Sequence, residues 1–204
     1  MFPELPELVE KIKKASVYEV AVESPLDFAP LLSKRLGNNV YLKREDLQSV
    51  FSFKLRGAYN KISQLSEQER QRGIIAASAG NHAQGVALAA QRLNISATIV
   101  MPKTTPRIKV DSVASLASKI ILHGNTYDVA CAHAYELAER EKLVFIHPYD
   151  DLDVICGQGT VAVEILQQME ALNNATNTSG EKASKQTIDA IFVPVGGGGL
   201  IDGI

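Results

Sequence analysis

Short apolar segments alternate with helical patterns from residue 74 onward in this chain of 204 residues. The apolar segments have strand length and are separated by stretches with helical spacing of their apolar residues. The predicted strands are residues 74–77, 97–101, 119–122 and 143–146, and the predicted helices are 83–93, 108–116, 127–140 and 159–169. Because parallel strands need long crossovers, and a helix is the usual crossover, this alternation predicts an α/β fold with parallel sheets.

The flanking regions carry weaker patterns of the same kind. Helices are predicted at 5–15, at 31–36 before Gly37, and from Lys54 to about residue 65, with a strand at 40–44. Ser66 and Glu69 have the spacing of a capping box and predict one further helical turn. The polar stretch 173–186 predicts a surface loop, and the apolar stretch 188–195 after it predicts a last strand.

Lys54 lies at the predicted start of a helix, within the segment Phe51-Ser52-Phe53-Lys54-Leu55-Arg56-Gly57-Ala58-Tyr59. The positive end of the helix dipole disfavours the ammonium form of a lysine in the first turn. A neutral amine is the form that condenses with an aldehyde. Most lysines at helix starts are solvated surface charges, so this interpretation depends on two further segments.

A polar turn, Ser78-Ala79-Gly80-Asn81-His82, joins a predicted strand to a predicted helix. Backbone N–H groups at a helix N-terminus bind anions. Ser78 and Asn81 add neutral groups that form hydrogen bonds. A plain strand–helix turn, capped by Ser78 or Asn81, fits the same residues, and we assign no proton transfer to His82.

Four successive glycines, Gly196, Gly197, Gly198 and Gly199, follow the predicted strand 188–195 and precede Leu200. A backbone without side chains lets its N–H groups approach a phosphate closely, and a following helix would add its dipole. The spacing is neither the dinucleotide-binding Gly-x-Gly-x-x-Gly nor the nucleotide-triphosphate Gly-Lys-Ser/Thr. A flexible linker fits poorly between an apolar strand and Leu200. Together, the lysine, the polar turn and the glycines suit pyridoxal phosphate, an aldehyde with a phosphate group.

Several segments resemble those of the biosynthetic threonine dehydratases, which belong to the fold-type-II (tryptophan synthase β-like) pyridoxal-phosphate enzymes. The matching segments are residues 41–46, 52–58, 77–87, 157–160 and 194–200. The form Ser-Ala-Gly-Asn-His-Ala-Gln-Gly is more similar to these enzymes than to serine racemase. The resemblance implies two three-layer αβα lobes with mostly parallel sheets and the cofactor between them. The smaller lobe would be residues 72–148, and the larger 1–71 with 149–204, incomplete at its C-terminal end.

The resemblance also implies a role for each matched position. Lys54 corresponds to the lysine that binds the cofactor covalently and removes the Cα proton. Phe53 corresponds to the residue packed beside the cofactor, and Asn81 to the asparagine that binds the ring hydroxyl. The remaining roles are binding of the substrate carboxylate by Ser78, Ala79, Gly80, Asn81 and His82, and binding of the cofactor phosphate by Gly196, Gly197, Gly198, Gly199 and Leu200.

The activity implied is deamination of L-threonine to 2-oxobutanoate and ammonia, a step of isoleucine biosynthesis. L-serine would react to pyruvate, because a pocket discriminates one methyl group by only about 1–3 kcal/mol. Family members are homotetramers, so a homo-oligomer is expected. Two alternatives remain: an isomerase similar to serine racemase, with Ser78 as second proton donor, and an inactive fragment of a threonine dehydratase, since the chain ends at Ile204, five residues after Gly199.

Net charge, apolar stretches and cysteine spacing limit the kinds of partner and cellular compartment to be expected. The net charge is -2 with both signs spread along the chain, which does not indicate nucleic acid, and no apolar stretch has membrane-spanning length. Cys131 and Cys156 have no metal or disulfide spacing and indicate a reducing compartment, with Cys156 expected to be a buried, inert thiol. Without a recognisable signal peptide, a cytoplasmic location is expected. The aspartates at 150, 151 and 153 and the histidines at 123, 133 and 147 predict no metal site.

Overall fold

The computed structural model describes residues 4–116, 118–176 and 187–204, and within these ranges the chain forms eight α-helices and six strands. The helices are α1 (Leu5–Lys13), α2 (Pro30–Leu36), α3 (Lys54–Ser63), α4 (Glu67–Arg72), α5 (Asn81–Leu93), α6 (Arg107–Ala114), α7 (Tyr127–Glu141) and α8 (Leu152–Thr176). The strands are β1 (Leu26–Phe28), β2 (Tyr41–Lys43), β3 (Ile74–Ala77), β4 (Ala97–Met101), β5 (Lys119–Leu122) and β6 (Val144–Phe145).

A four-stranded parallel sheet with the order β5-β4-β3-β6 forms the centre of the fold. Side chains of a strand point alternately to its two faces. Accordingly, Ile74 and Ala76 pack in a core with α3 and α5, whereas Ile75 and Ala77 pack with α7. The sheet is therefore covered by helices on both faces, which confirms the predicted three-layer α/β arrangement for this part of the chain.

The local signals in the sequence agree with these elements. The strands predicted at 74–77, 97–101 and 119–122 are confirmed to the residue, and β6 is a shorter form of the strand predicted at 143–146. Ser66 and Glu69 form the predicted capping box at the start of α4. Gly37 ends α2 with a φ of 65°, a left-handed conformation that glycine adopts without a steric cost.

Helix α8 is longer than predicted at both ends. It begins at Leu152 rather than at residue 159, because the Asp151 carboxylate accepts hydrogen bonds from the N–H groups of Asp153 (2.9 Å) and Val154 (3.2 Å). It continues to Thr176, so the first four residues of the predicted loop 173–186 are helical, and the rest, 177–186, lie outside the described residues. No helix in the described ranges has both the length and the apolarity needed to cross a membrane.

The predicted strand at 188–195 is wrong, because this segment is not part of a sheet. A strand requires a neighbour that pairs with its backbone, and within the described residues no backbone hydrogen bond from this segment is formed. Its side chains are largely exposed, with Phe192 95% exposed, and they border an open cleft of about 1570 Å³.

The second sheet of the fold is an antiparallel pair of strands, β1 with β2, in which Phe28 lies opposite Tyr41.

Helices α3 and α8 cross in direct backbone contact at two glycines. A Cβ atom on Gly157 would lie 2.6 Å from the Gly57 Cα atom and 2.7 Å from the Arg56 carbonyl oxygen. A Cβ atom on Gly57 would lie 2.5 Å from the Val154 carbonyl oxygen. Because the obstructing atoms are backbone atoms, rotation of a side chain cannot relieve either overlap.

Gly157→Ala is therefore expected to destabilise the protein, although alanine is the better helix former. In an exposed helix this change gains about 1 kcal/mol, whereas overpacking a tight contact costs about 1–3 kcal/mol. The measurement is the free energy of unfolding from urea titration, followed by circular dichroism. An unchanged or higher midpoint would show that separating the two helices costs no more than the gain in helix propensity.

Candidate functional site

Lys54 is the first residue of α3, and its side chain is half-buried. Its Nζ atom donates a hydrogen bond to the Pro148 carbonyl oxygen at 2.7 Å and lies 5.4 Å from the centroid of the Phe53 ring. Burial lowers the pKa of the Lys54 amine, because the charged form loses solvation. A half-buried amine with a lowered pKa is suited to nucleophilic chemistry.

The predicted turn 78–82 lies at the carboxyl end of β3, and its last two residues form the start of α5. The Ser78 hydroxyl accepts a hydrogen bond from the Gly80 N–H at 3.2 Å, and Asn81 is exposed. The first hydrogen bond of the helix runs from the Gln84 N–H to the Gly80 carbonyl, so the preceding N–H groups have no acceptor within the helix. These polar groups are therefore available to an anion at the edge of the sheet where ligands of α/β proteins bind.

Helix α5 brings this turn close to Lys54. A Cβ atom on Gly85 would lie 3.0 Å from the Lys54 carbonyl oxygen and from the Leu55 nitrogen. The start of α3 and the beginning of α5 thus pack so closely that a side chain at position 85 would require the Lys54 backbone to shift.

His82 does not face the same side as the polar groups of its turn. Its side chain is buried, and its Nε2 atom lies 2.9 Å from the Ile146 carbonyl oxygen. Burial lowers the pKa of its imidazole to about 4, so the ring is neutral at physiological pH. Only the backbone of His82 is in a position to contact a ligand of the turn, while its imidazole contacts the segment that follows β6.

The glycine segment packs against Tyr149. A Cβ atom on Gly197 would overlap the Tyr149 ring, and one on Gly199 would lie 2.7 Å from the Tyr149 carbonyl oxygen. Gly198 has a φ of 95°, which favours glycine. Within the described part of the chain, the N–H groups of residues 196–199 donate to no backbone or side-chain acceptor. Since Tyr149 follows the residue that binds Lys54, the glycine segment and the lysine meet at residues 148–149.

These features fit pyridoxal phosphate. Lys54 supplies an amine in a partly desolvated position. The glycine segment supplies N–H groups without a backbone acceptor among the described residues, and side chains at Gly197 and Gly199 would clash with Tyr149. Leu200 follows the glycines, and both Leu200 and Phe53 line the open cleft. Of the predicted site residues, Lys54, Phe53 and the turn 78–82 are brought together through α3 and α5, and the glycine segment joins them through Tyr149.

A buried cluster of charges beneath Lys54 has no counterpart among the predicted site residues. Arg56 is completely buried, and its guanidinium binds Glu164 at 2.6 Å and Glu45 at 2.8 Å. Lys43 Nζ lies 2.6 Å from a Glu164 oxygen, and the Tyr18 hydroxyl donates to the same carboxylate at 2.9 Å. This charge cluster (Arg56, Glu164, Glu45, Lys43) ties the first turn of α3 to α8 and β2.

The sequence alone gives some indication of this charge cluster. Lys43, Glu45 and Arg56 lie in matched segments. Glu164 is the single charged residue of the predicted helix 159–169, and one charge in an otherwise apolar stretch indicates a buried partner. Burial acts to raise the Glu164 pKa, yet hydrogen bonds from Arg56 and Lys43 hold it below its ordinary value.

Other candidate groups have structural roles. Asp151 and Asp153 both bind Lys61 at 2.9 Å and so join the start of α8 to α3. Cys156 is confirmed as a buried thiol whose pKa burial raises to about 11. The rings of His123 and His133 stack at 3.8 Å. Among the described residues, no group of three or more acidic, histidine or cysteine side chains could hold a metal ion.

Comparison with known proteins identifies similar sequences and folds. Threonine dehydratase from Nicotiana attenuata is 54% identical over 201 residues, which are 98% of this chain and 31% of that protein. The processed form of threonine deaminase isoform 2 from Solanum lycopersicum has a TM-score of 0.86 and 54% identity, over 98% of this chain and 54% of that chain. Maize serine racemase has a TM-score of 0.84 and 31% identity, over 96% of this chain and 55% of that chain.

The chain spans about a third of the length of the curated relatives it matches. The family described as pyridoxal-phosphate dependent enzyme matches residues 19–204, which include Lys54, the polar turn and all four glycines. With this match over most of its length, the chain belongs to the family of pyridoxal-phosphate dependent enzymes.

Proposed function

We propose that this chain is the cofactor-binding part of a threonine ammonia-lyase, which deaminates L-threonine to 2-oxobutanoate and ammonia and L-serine to pyruvate. The observation that carries the proposal is Lys54, a half-buried amine at a helix start, beside the polar turn and joined to the glycine segment through residues 148–149. The 54% identity to a protein named threonine dehydratase supports this substrate class over the 31% identity to a serine racemase.

Pyridoxal phosphate, when bound, supplies an electron sink for the carbanion left by removal of the Cα proton. Lys54 is the residue that would bind it covalently and, once released by the incoming amino acid, accept that proton at Nζ. Its lowered pKa keeps a larger fraction of the amine neutral at physiological pH. The Pro148 carbonyl accepts the Nζ hydrogen bond and so fixes the direction of the amine.

The other residues bind and orient. The free N–H groups at the start of α5, with Ser78 and Asn81, would hold the substrate carboxylate, which a helix N-terminus favours. Asn81 would also bind the cofactor ring hydroxyl, and Phe53 would pack beside the ring. Gly196, Gly197, Gly198, Gly199 and Leu200 would hold the phosphate through their N–H groups.

We propose further that residues 72–148 form the smaller lobe and that 1–71 with 149–204 belong to the larger one. We also propose that the chain forms a homo-oligomer, as its resemblance to the threonine dehydratases implies. Size-exclusion chromatography with light scattering tests this proposal. A cytoplasmic location is supported by the two free cysteines, Cys131 and Cys156, which fit a reducing compartment.

An isomerase that racemises serine is the second candidate. The similarity to maize serine racemase favours it, as does Ser78, a hydroxyl at the edge of the sheet near Lys54. Racemisation would return a proton to the opposite face of the substrate, so the two candidates differ in product and not in cofactor.

The test is a product assay of the purified chain with pyridoxal phosphate. We expect L-threonine to give 2-oxobutanoate and ammonia in equal amounts, measured with a coupled dehydrogenase and an ammonia assay, and nothing from Lys54→Ala. D-serine from L-serine without 2-oxo acid would favour the isomerase. Absence of both products, with the cofactor bound at Lys54, would contradict catalysis by this chain.

A further inference from the structure

The segment that leaves the sheet after β6 connects three parts of the candidate site. The His82 Nε2 atom lies 2.9 Å from the Ile146 carbonyl oxygen, and Lys54 Nζ donates to the Pro148 carbonyl oxygen at 2.7 Å. These two carbonyls are two residues apart, which is the repeat of an extended chain. The next residue, Tyr149, carries the contact with the glycine segment.

The Ile146 side chain is buried in the core, but few other hydrogen bonds hold the backbone of this segment. The Ile146 N–H donates to the Ile75 carbonyl, the last bond of the sheet on this side. Beyond it, the N–H groups of Tyr149 and Asp150 donate to the His147 Nδ1 atom, at 3.4 and 2.7 Å. Both of these hydrogen bonds lie within the segment itself. Among the described residues, His82 and Lys54 are therefore the side chains that bind backbone carbonyls of residues 146–148.

The surroundings of His82 determine the protonation state of its imidazole ring. Its side chain is 4% exposed, and desolvation keeps it neutral beside Lys54. A neutral imidazole has one N–H group and a carbonyl oxygen can only accept, so the proton is on Nε2. The Nδ1 atom has no partner among the described residues, so the Ile146 bond is the specific interaction of this ring.

We infer that His82 is a positioning residue for Lys54: by donating to the Ile146 carbonyl, it fixes the segment whose Pro148 carbonyl directs the lysine amine. The inference rests on the proposed function, because it concerns the same lysine. It assigns the imidazole to the support of Lys54 and leaves substrate binding to the rest of the turn.

The test compares three variants of the full chain. His82→Leu removes the donor and keeps the volume, whereas His82→Gln keeps an N–H group near the position of Nε2. His82→Asn has an amide too short to reach Ile146. The first readout needs no cofactor: the rate of reductive methylation of each lysine by formaldehyde and cyanoborohydride, resolved by mass spectrometry, with the exposed Lys34 and Lys103 as internal references.

We expect the Lys54 rate to rise in His82→Leu and His82→Asn by about threefold to tenfold, the range for loss of one hydrogen bond, because the amine is released from Pro148. The His82→Gln rate should stay near that of the unaltered chain. The second readout, affinity for pyridoxal phosphate, should fall in the first two variants and recover in His82→Gln.

The inference fails if His82→Leu, folded by circular dichroism, leaves the Lys54 rate unchanged, or if His82→Gln behaves like His82→Leu. If His82→Leu does not fold, the comparison of His82→Gln with His82→Asn decides. If the unaltered chain forms no adduct at Lys54, the proposed function is wrong, and the methylation rates still decide the role of His82.

Discussion

Lys54→Ala should abolish the adduct that borohydride fixes between pyridoxal phosphate and this chain. The reason is that Lys54 combines a lowered pKa with a position between the polar turn and the residues that meet the glycine segment. The neutral amine is the nucleophile, so a lysine with a lowered pKa reacts at a lower pH than an exposed one. The measurement is the absorbance spectrum before and after reduction, with the modified peptide identified by mass spectrometry.

Lys61→Ala is the matched control, because Lys61 lies on the same helix. Burial also acts to lower the Lys61 pKa, but hydrogen bonds to Asp151 and Asp153 raise it above its ordinary value, so this amine stays charged. We expect the adduct to form in Lys61→Ala as in the unaltered chain. An adduct of equal yield at another lysine in Lys54→Ala would contradict the assigned site.

Glu164→Gln should destabilise the protein by about 3–5 kcal/mol, the cost of removing one partner from a buried ion pair. Glu164 is 1% exposed and faces both Arg56 and Lys43, so the variant leaves two buried cations with one carboxylate, that of Glu45. The measurement is the free energy of unfolding from urea titration at neutral pH. Because the charge cluster supports the first turn of α3, binding of pyridoxal phosphate should weaken as well.

Tyr18→Phe provides the control for this prediction. It removes only the hydroxyl that donates to Glu164 and should cost about 1 kcal/mol. If Glu164→Gln lowered the free energy of unfolding no more than Tyr18→Phe does, water or a rearranged side chain would be compensating the charges of Arg56 and Lys43.

The pH dependence follows from the sign of the Glu164 shift. Its pKa in the folded protein is below the ordinary value of 4.5. The ionised carboxylate therefore contributes stability above that value, and the contribution is lost as the pH falls through the folded pKa. The difference in unfolding free energy between the unaltered chain and Glu164→Gln should accordingly decrease in acid.

Local patterns predicted the parallel sheet and its helices because each strand there carries its own signal. The strands 74–77 and 97–101 are short apolar runs, and the capping box at Ser66 depends on neighbours in sequence alone. The motifs also marked Lys54, the polar turn and the glycines as candidate site residues, because each of these features is contiguous in sequence.

Features that depend on distant partners were not predicted. The apolar stretch 188–195 has strand composition, but a strand forms only where another strand pairs with it. The direction of the His82 ring depends on Ile146, 64 residues away in sequence. Glu164 becomes part of the site support only through Arg56 and Lys43, which lie on other elements.

The contact between Gly57 and Gly157 links two motifs that are far apart in the chain. One belongs to the segment around Lys54 and the other to the start of α8. A methyl group on Gly157 would overlap the Gly57 Cα atom, and one on Gly57 would overlap the Val154 carbonyl oxygen of α8. A larger residue at either position requires the helices to move apart, which would shift Lys54 itself. An alignment of relatives should consequently show the two positions remaining small together, or changing together with the spacing of α3 and α8.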